Sequence, residues 1–122
     1  MELQKLIVDI ADKYNLQSAG IFGSRSRGDY REDSDYDIFI IGNLTLAEEL
    51  NLESELEKLL NYSVDIVKID ENTDKLLLKN ILNDAEIIYN KNNSYENLYK
   101  LVEKFFKENS DFIRLREADL LD

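Results

Sequence analysis

Three aspartates and a glycine turn carry the chemistry open to this chain. Asp35 and Asp37 stand two apart in Asp35-Tyr36-Asp37-Ile38-Phe39-Ile40-Ile41, a β-rich run that predicts a strand. Residues i and i+2 of a strand share a face, so the two carboxylates sit side by side, with Cα atoms about 7 Å apart. Like charges so placed repel, and a divalent cation between them removes the conflict. Asp65 interrupts the apolar run of Val64, Ile66 and Val67 in another predicted strand, where a carboxylate is costly unless paired or metal-bound. If the two strands are neighbours, three carboxylates can hold two Mg²⁺ ions. Upstream lies Gly20-Ile21-Phe22-Gly23-Ser24-Arg25-Ser26-Arg27-Gly28. A strand that ends at Gly23 and turns through Ser24 offers backbone N–H groups and a hydroxyl to a phosphate. Arg25 and Arg27 add guanidinium groups for phosphate oxygens. The glycine spacing is neither a Walker A loop nor GxGxxG. Each signal is weak alone, since a turn or a surface DxD is common. Together they are what two-metal nucleotidyl transfer requires, with one ion on a triphosphate and the other activating an acceptor hydroxyl.

Composition narrows the alternatives. The 122 residues contain no cysteine and no histidine. Disulfide frameworks, thiolate nucleophiles, Ser-His-Asp catalysis and HExxH zinc sites are thereby excluded. Acid–base work falls to Asp, Glu, Lys or Tyr, and a metal site must be built from oxygens, which suits Mg²⁺, Mn²⁺ or Ca²⁺. With 15 basic and 26 acidic residues the net charge is −11, so the bulk field repels DNA and RNA. A basic protein partner or a cation is easier to accommodate. No apolar run approaches the ~18 residues of a membrane span, and the N-terminus does not read as a signal peptide. The expectation is a cytoplasmic protein with no membrane partner.

The elements that must position these residues follow from periodicity. Leu3, Leu6, Ile7, Ile10, Ala11 and Tyr14 predict a helix, followed by a strand over Ser18 to Phe22. Residues 24–34 are polar with no period. Thr45-Leu46-Ala47-Glu48 is a capping box that opens a helix to about Leu60. Ser63 to Ile69 reads as a strand, Thr73 to Leu82 as a helix and Glu86 to Tyr89 as a strand. From Ser94 the chain is helical, with Leu98, Leu101, Val102, Phe105, Phe106, Phe112 and Ile113 as its apolar stripe. Ser110 could cap a new helix there. An unbroken run to Asp119 would be close to 40 Å long, so a break or a partner is expected. The order α-β-β-α-β-α-β-α predicts an α/β or α+β domain with a small mixed sheet flanked by helices.

Gly23-Ser24-Arg25-Ser26-Arg27-Gly28 followed by Ser34-Asp35-Tyr36-Asp37-Ile38 resembles the GSxxRG…SDxDL signature of minimal nucleotidyltransferases. These belong to the DNA polymerase beta-like nucleotidyltransferase superfamily, and Val64-Asp65-Ile66-Val67 resembles the strand with its third carboxylate. The resemblance covers residues 1–90 as a nucleotidyltransferase core and leaves 91–122 as a C-terminal helical extension of the same domain. It implies that Asp35, Asp37 and Asp65 are catalytic and ligate two Mg²⁺ ions, with Asp65 also helping to deprotonate the acceptor. It implies further that Gly23 and Ser24 bind the β- and γ-phosphates of ATP, and that Arg27 and Arg25 support the triphosphate. Ser26, where the family tends to have Ala, is a mild departure. Many small members are similar to antitoxins that transfer AMP from ATP to a tyrosine of a HEPN ribonuclease toxin.

The acceptor is constrained by charge. Residues 47–74 hold nine acidic residues and two lysines, a net of −7. A solvated helix face explains this, but an acidic flank also disfavours nucleic-acid acceptors and suits a basic protein. The alternatives are a binding-only antitoxin that masks its toxin, and a small-molecule transferase acting on a cationic aminoglycoside. The latter would need a homo-oligomer to build the drug pocket, because residues 94–122 are too short to hold one.

Overall fold

The computed structural model describes residues 2–109. Helix α1 spans Glu2–Ala11, strand β1 Leu16–Phe22, and α2 is a single turn over Ser24–Arg27. Strand β2 (Tyr36–Gly42), helix α3 (Leu46–Leu60), strand β3 (Val64–Lys68), helix α4 (Lys75–Asp84), strand β4 (Glu86–Asn90) and helix α5 (Ser94–Glu108) follow. Apart from α2, the order matches the sequence expectation. Four residues are too few to reveal a period, so α2 was not legible within the polar stretch 24–34.

The sheet is mixed, with order β3-β2-β1-β4. β1 pairs antiparallel with both β2 and β4, and β2 pairs parallel with β3. A parallel pair needs a crossover, and α3 supplies it. The Thr45 cap is realised in full: the Thr45 side chain accepts from the Glu48 amide while the Glu48 carboxylate accepts from the Thr45 amide.

Alternation along the strands sorts side chains into two cores. On one side Ile21, Ile38, Ile40 and Val64 pack with Leu3, Ile7 and Ile10 of α1 and Leu52 and Leu56 of α3. On the other, Phe39 packs with Leu78, Ile81 and Leu82 of α4, Leu98 and Val102 of α5, and Ile69. Phe106 is half-buried against this second core. Gly20 makes room for Phe39, because a Cβ there would lie 2.6 Å from both the Phe39 ring and the Glu86 carbonyl. The start of α5 is tied to the sheet through fully buried Ser18, whose hydroxyl donates to Asn90 Oδ1 at 2.7 Å and lies 2.5 Å from Ser94 Oγ. Ser110, Phe112, Ile113 and the run to Asp119 lie outside the described residues.

Candidate active site

The two-residue repeat that builds the second core also places the acids. Asp37 precedes Phe39 by two residues, and Asp65 precedes Val67 by two, so both carboxylates face the α4–α5 side of the sheet. In the parallel register Asp37 lies directly opposite Asp65, and in the antiparallel register it lies opposite Phe22. Asp35 stands just before β2. The site thus occupies one end of the sheet, where β1 finishes and β2 and β3 begin.

Gly23 closes β1 with φ 72° and ψ −154°, backbone space essentially reserved for glycine. A Cβ at Gly23 would also collide with Asp37 Oδ2. The absent side chain thus serves both the turn and the carboxylate packed against it. The Gly23 carbonyl accepts from the Ser26 and Arg27 amides at 3.1 Å each, which winds the chain into α2 with Ser24 at its first position. Gly28 then ends the turn in the left-handed region at φ 84°.

Burial, then the nearby Asp65 and Asp35 carboxylates, push the Asp37 carboxyl above its ordinary value, against the opposing pull of Arg27. Asp37 is half-buried, whereas Asp35 and Asp65 are exposed. Asp65 lies on the edge strand β3 and is exposed, so its carboxylate has no burial cost to offset. Among the described residues no three carboxylates converge closely enough, as placed, to hold a metal ion. The donor set nonetheless fits a hard cation. It is all oxygen, and it concentrates negative charge around Asp37.

The two arginines separate. Arg27 stays at the acid end, where its Nη1 donates to Asp84 Oδ2 at 2.9 Å and its Nε donates to Asp29 Oδ2 at 3.3 Å. These bonds hold its guanidinium pKa above the ordinary value. Arg25 forms no ion pair with the three carboxylates. It is half-buried among Tyr30, Tyr36 and Tyr62, and Tyr36 belongs to the opposite core. Ser26, the mild departure, donates its hydroxyl to the Asp84 carbonyl and so ties α2 to the end of α4. Sequence reasoning missed Asp84, Asp29, Tyr30 and Tyr62; of Tyr36 it gives only the face, opposite that of Asp35 and Asp37. Asp84 is 57 residues from Arg27, and nothing local signals that pairing.

Comparison with known proteins agrees with this geometry. The family model described as "Polymerase beta, Nucleotidyltransferase" matches residues 4–94. A Methanocaldococcus jannaschii relative, provisionally named a protein adenylyltransferase, is 35% identical over 86 residues, covering 69% of this chain and 91% of its own. Among solved structures, a chain from a toxin–antitoxin complex with AMP-PNP superposes with a TM-score of 0.80 at 18% identity, over 98% of both chains. A chain from a complex of a tri-AMPylated Shewanella oneidensis HEPN toxin with its MNT antitoxin gives 0.74 at 16% identity, over the whole of both chains. With its two acid-bearing parallel strands beside a glycine-closed turn, this chain belongs to the polymerase beta nucleotidyltransferase family.

Proposed function

We propose that this chain is a Mg²⁺-dependent protein adenylyltransferase, the cytoplasmic antitoxin of a toxin–antitoxin pair. It transfers AMP from ATP to a tyrosine hydroxyl of a HEPN-type toxin. The observation that carries the reading is the Asp37–Asp65 register pair, with Asp35 beside it and Gly23 packed against the Asp37 carboxylate. The name of the M. jannaschii relative supports the reaction, and the AMP-PNP and tri-AMPylated HEPN complexes support nucleotide and acceptor.

Asp35, Asp37 and Asp65 would hold the metal, two ions in all, and Mg²⁺ there would supply charge neutralisation of the triphosphate and activation of the acceptor oxygen. Gly23 lets the β- and γ-phosphates approach the backbone, and Ser24 offers its hydroxyl to them. Arg27, exposed and held only by surface ion pairs, exchanges Asp84 and Asp29 for phosphate oxygens, since pairs of that kind are weak. The tyrosine oxygen attacks the α-phosphorus in line. The bond from that phosphorus to the bridging β-oxygen breaks, pyrophosphate leaves, and the phenolic proton passes to Asp65. Its place on the exposed edge strand leaves that carboxylate open to a macromolecular acceptor. The acidic flank of residues 47–74 favours a basic protein surface over nucleic acid.

The test is the intact mass of the protein encoded beside this chain after incubation with it, ATP and Mg²⁺. A gain of whole AMP units, absent with Asp35→Asn/Asp37→Asn, is expected. A stable complex with no gain in mass would replace this reading with masking by binding alone. Neither gain nor complex would direct attention to small-molecule acceptors.

A further inference from the structure

Arg25 occupies a site built for a guanidinium. Its central carbon lies 4.1 Å from the Tyr36 ring centroid, 4.6 Å from that of Tyr30 and 4.8 Å from that of Tyr62. Tyr36 and Tyr62 meet edge to face at 5.6 Å, which completes two walls of the cage. The guanidinium also donates twice to one carbonyl, from Nη2 to Ser34 O at 2.8 Å and from Nε at 3.1 Å. A weaker bond runs from Nη2 to Glu32 O at 3.5 Å. A planar fork that stacks and chelates at once is arginine chemistry that lysine cannot reproduce.

The residues so held bracket a carboxylate. Ser34 immediately precedes Asp35 and Tyr36 immediately follows it. The Tyr36 amide donates to Ser63 O at 2.9 Å, which locks the start of β2 to the segment leading into β3 and Asp65. The Ser34 amide donates to Arg31 O at 3.0 Å, and Ser34 Oγ accepts from the Arg31 amide at 2.8 Å. Asp35 is itself exposed, and its backbone is held between these two neighbours.

We propose that Arg25 is a positioning residue: caged by Tyr30, Tyr36 and Tyr62, it fixes the backbone on both sides of Asp35 and so sets the carboxylates in register. It does not touch the nucleotide. The proposal rests on the site assignment above, and its test reads the free protein as well as the reaction.

Arg25→Lys and Tyr62→Leu are compared with the wild type in three measurements: amide hydrogen exchange at Ser34 and Tyr36, ATP affinity in EDTA, and AMP transfer at saturating ATP and Mg²⁺. Exchange at both amides should accelerate in Arg25→Lys, and in the same direction but less in Tyr62→Leu. The kcat of Arg25→Lys should fall about 10²-fold, the scale expected for a misplaced catalytic group. Its ATP affinity in EDTA should change less than about twofold, since uniform binding is untouched. An affinity loss in EDTA that matches the loss of transfer would make Arg25 a phosphate ligand and overturn the proposal. Unchanged exchange at Ser34 and Tyr36 would overturn it too. Should Arg25→Lys not fold, Tyr62→Leu decides by the same readouts. If the wild type transfers no AMP, the functional reading fails, and the exchange data still decide the role of Arg25.

Discussion

Replacing Asp37 with asparagine should separate function from folding. The substitution keeps the shape but removes a half-buried charge that Asp65 and Asp35 repel. We expect Asp37→Asn to melt no lower than the wild type and, in the proposed role of Asp37 as a metal-holding carboxylate, to lose AMP transfer on the order of 10³-fold. Thermal unfolding and mass spectrometry of the partner check both halves. Gly23→Ala should fail in both respects. Its backbone conformation costs a non-glycine residue about 1–3 kcal/mol, and the new Cβ would displace the Asp37 carboxylate. A Gly23→Ala variant with wild-type denaturation and activity would contradict this account of the turn.

Between elements, the contact with the clearest pH signature joins α1 to α3. Tyr14, just beyond α1, donates to Glu55 Oε2 at 2.6 Å, and Lys13 Nζ donates to both Glu55 oxygens at 3.2 Å. Burial, and then the bond to Glu55, push the Tyr14 phenol up to about 12. The bond from Tyr14 in turn holds the Glu55 carboxyl below its ordinary value. At neutral pH Tyr14→Phe should cost about 1.5–3 kcal/mol, the usual value of a hydrogen bond to a charged group. A raised phenol contributes stability that is whole below its unfolded value of 10.0 and lost as pH climbs through about 12. A depressed carboxyl contributes stability that is lost as pH falls through its folded value. The wild-type lead over Tyr14→Phe in urea midpoint should therefore shrink at both extremes. A lead that stays flat across the pH range would show that the bond does not form in solution.

For the whole molecule, the acids and the second core are one structure, because Asp37 and Phe39 share a face of β2 and Asp65 and Val67 share a face of β3. Phe39 is fully buried against both α4 and α5. Phe39→Ala should cost about 3–5 kcal/mol, a large part of the stability of a domain this size. Urea denaturation checks it.

Much of this was legible before folding. The period of two puts Asp35 and Asp37 on one face and Tyr36 on the other, and the glycine turn, the capping box and every element longer than four residues follow from local pattern. The absence of cysteine and histidine left oxygen donors as the only metal chemistry. The pairing of Asp37 with Asp65 depends on strand order, which local periodicity does not contain. The two arginines read alike in sequence because both are exposed-type cations two residues apart. One helical turn then sends Arg27 to Asp84 and Arg25 into a cage completed by Tyr62, 37 residues away. Only the tertiary structure decides that, because each guanidinium takes its role from partners that chain folding, not sequence proximity, delivers.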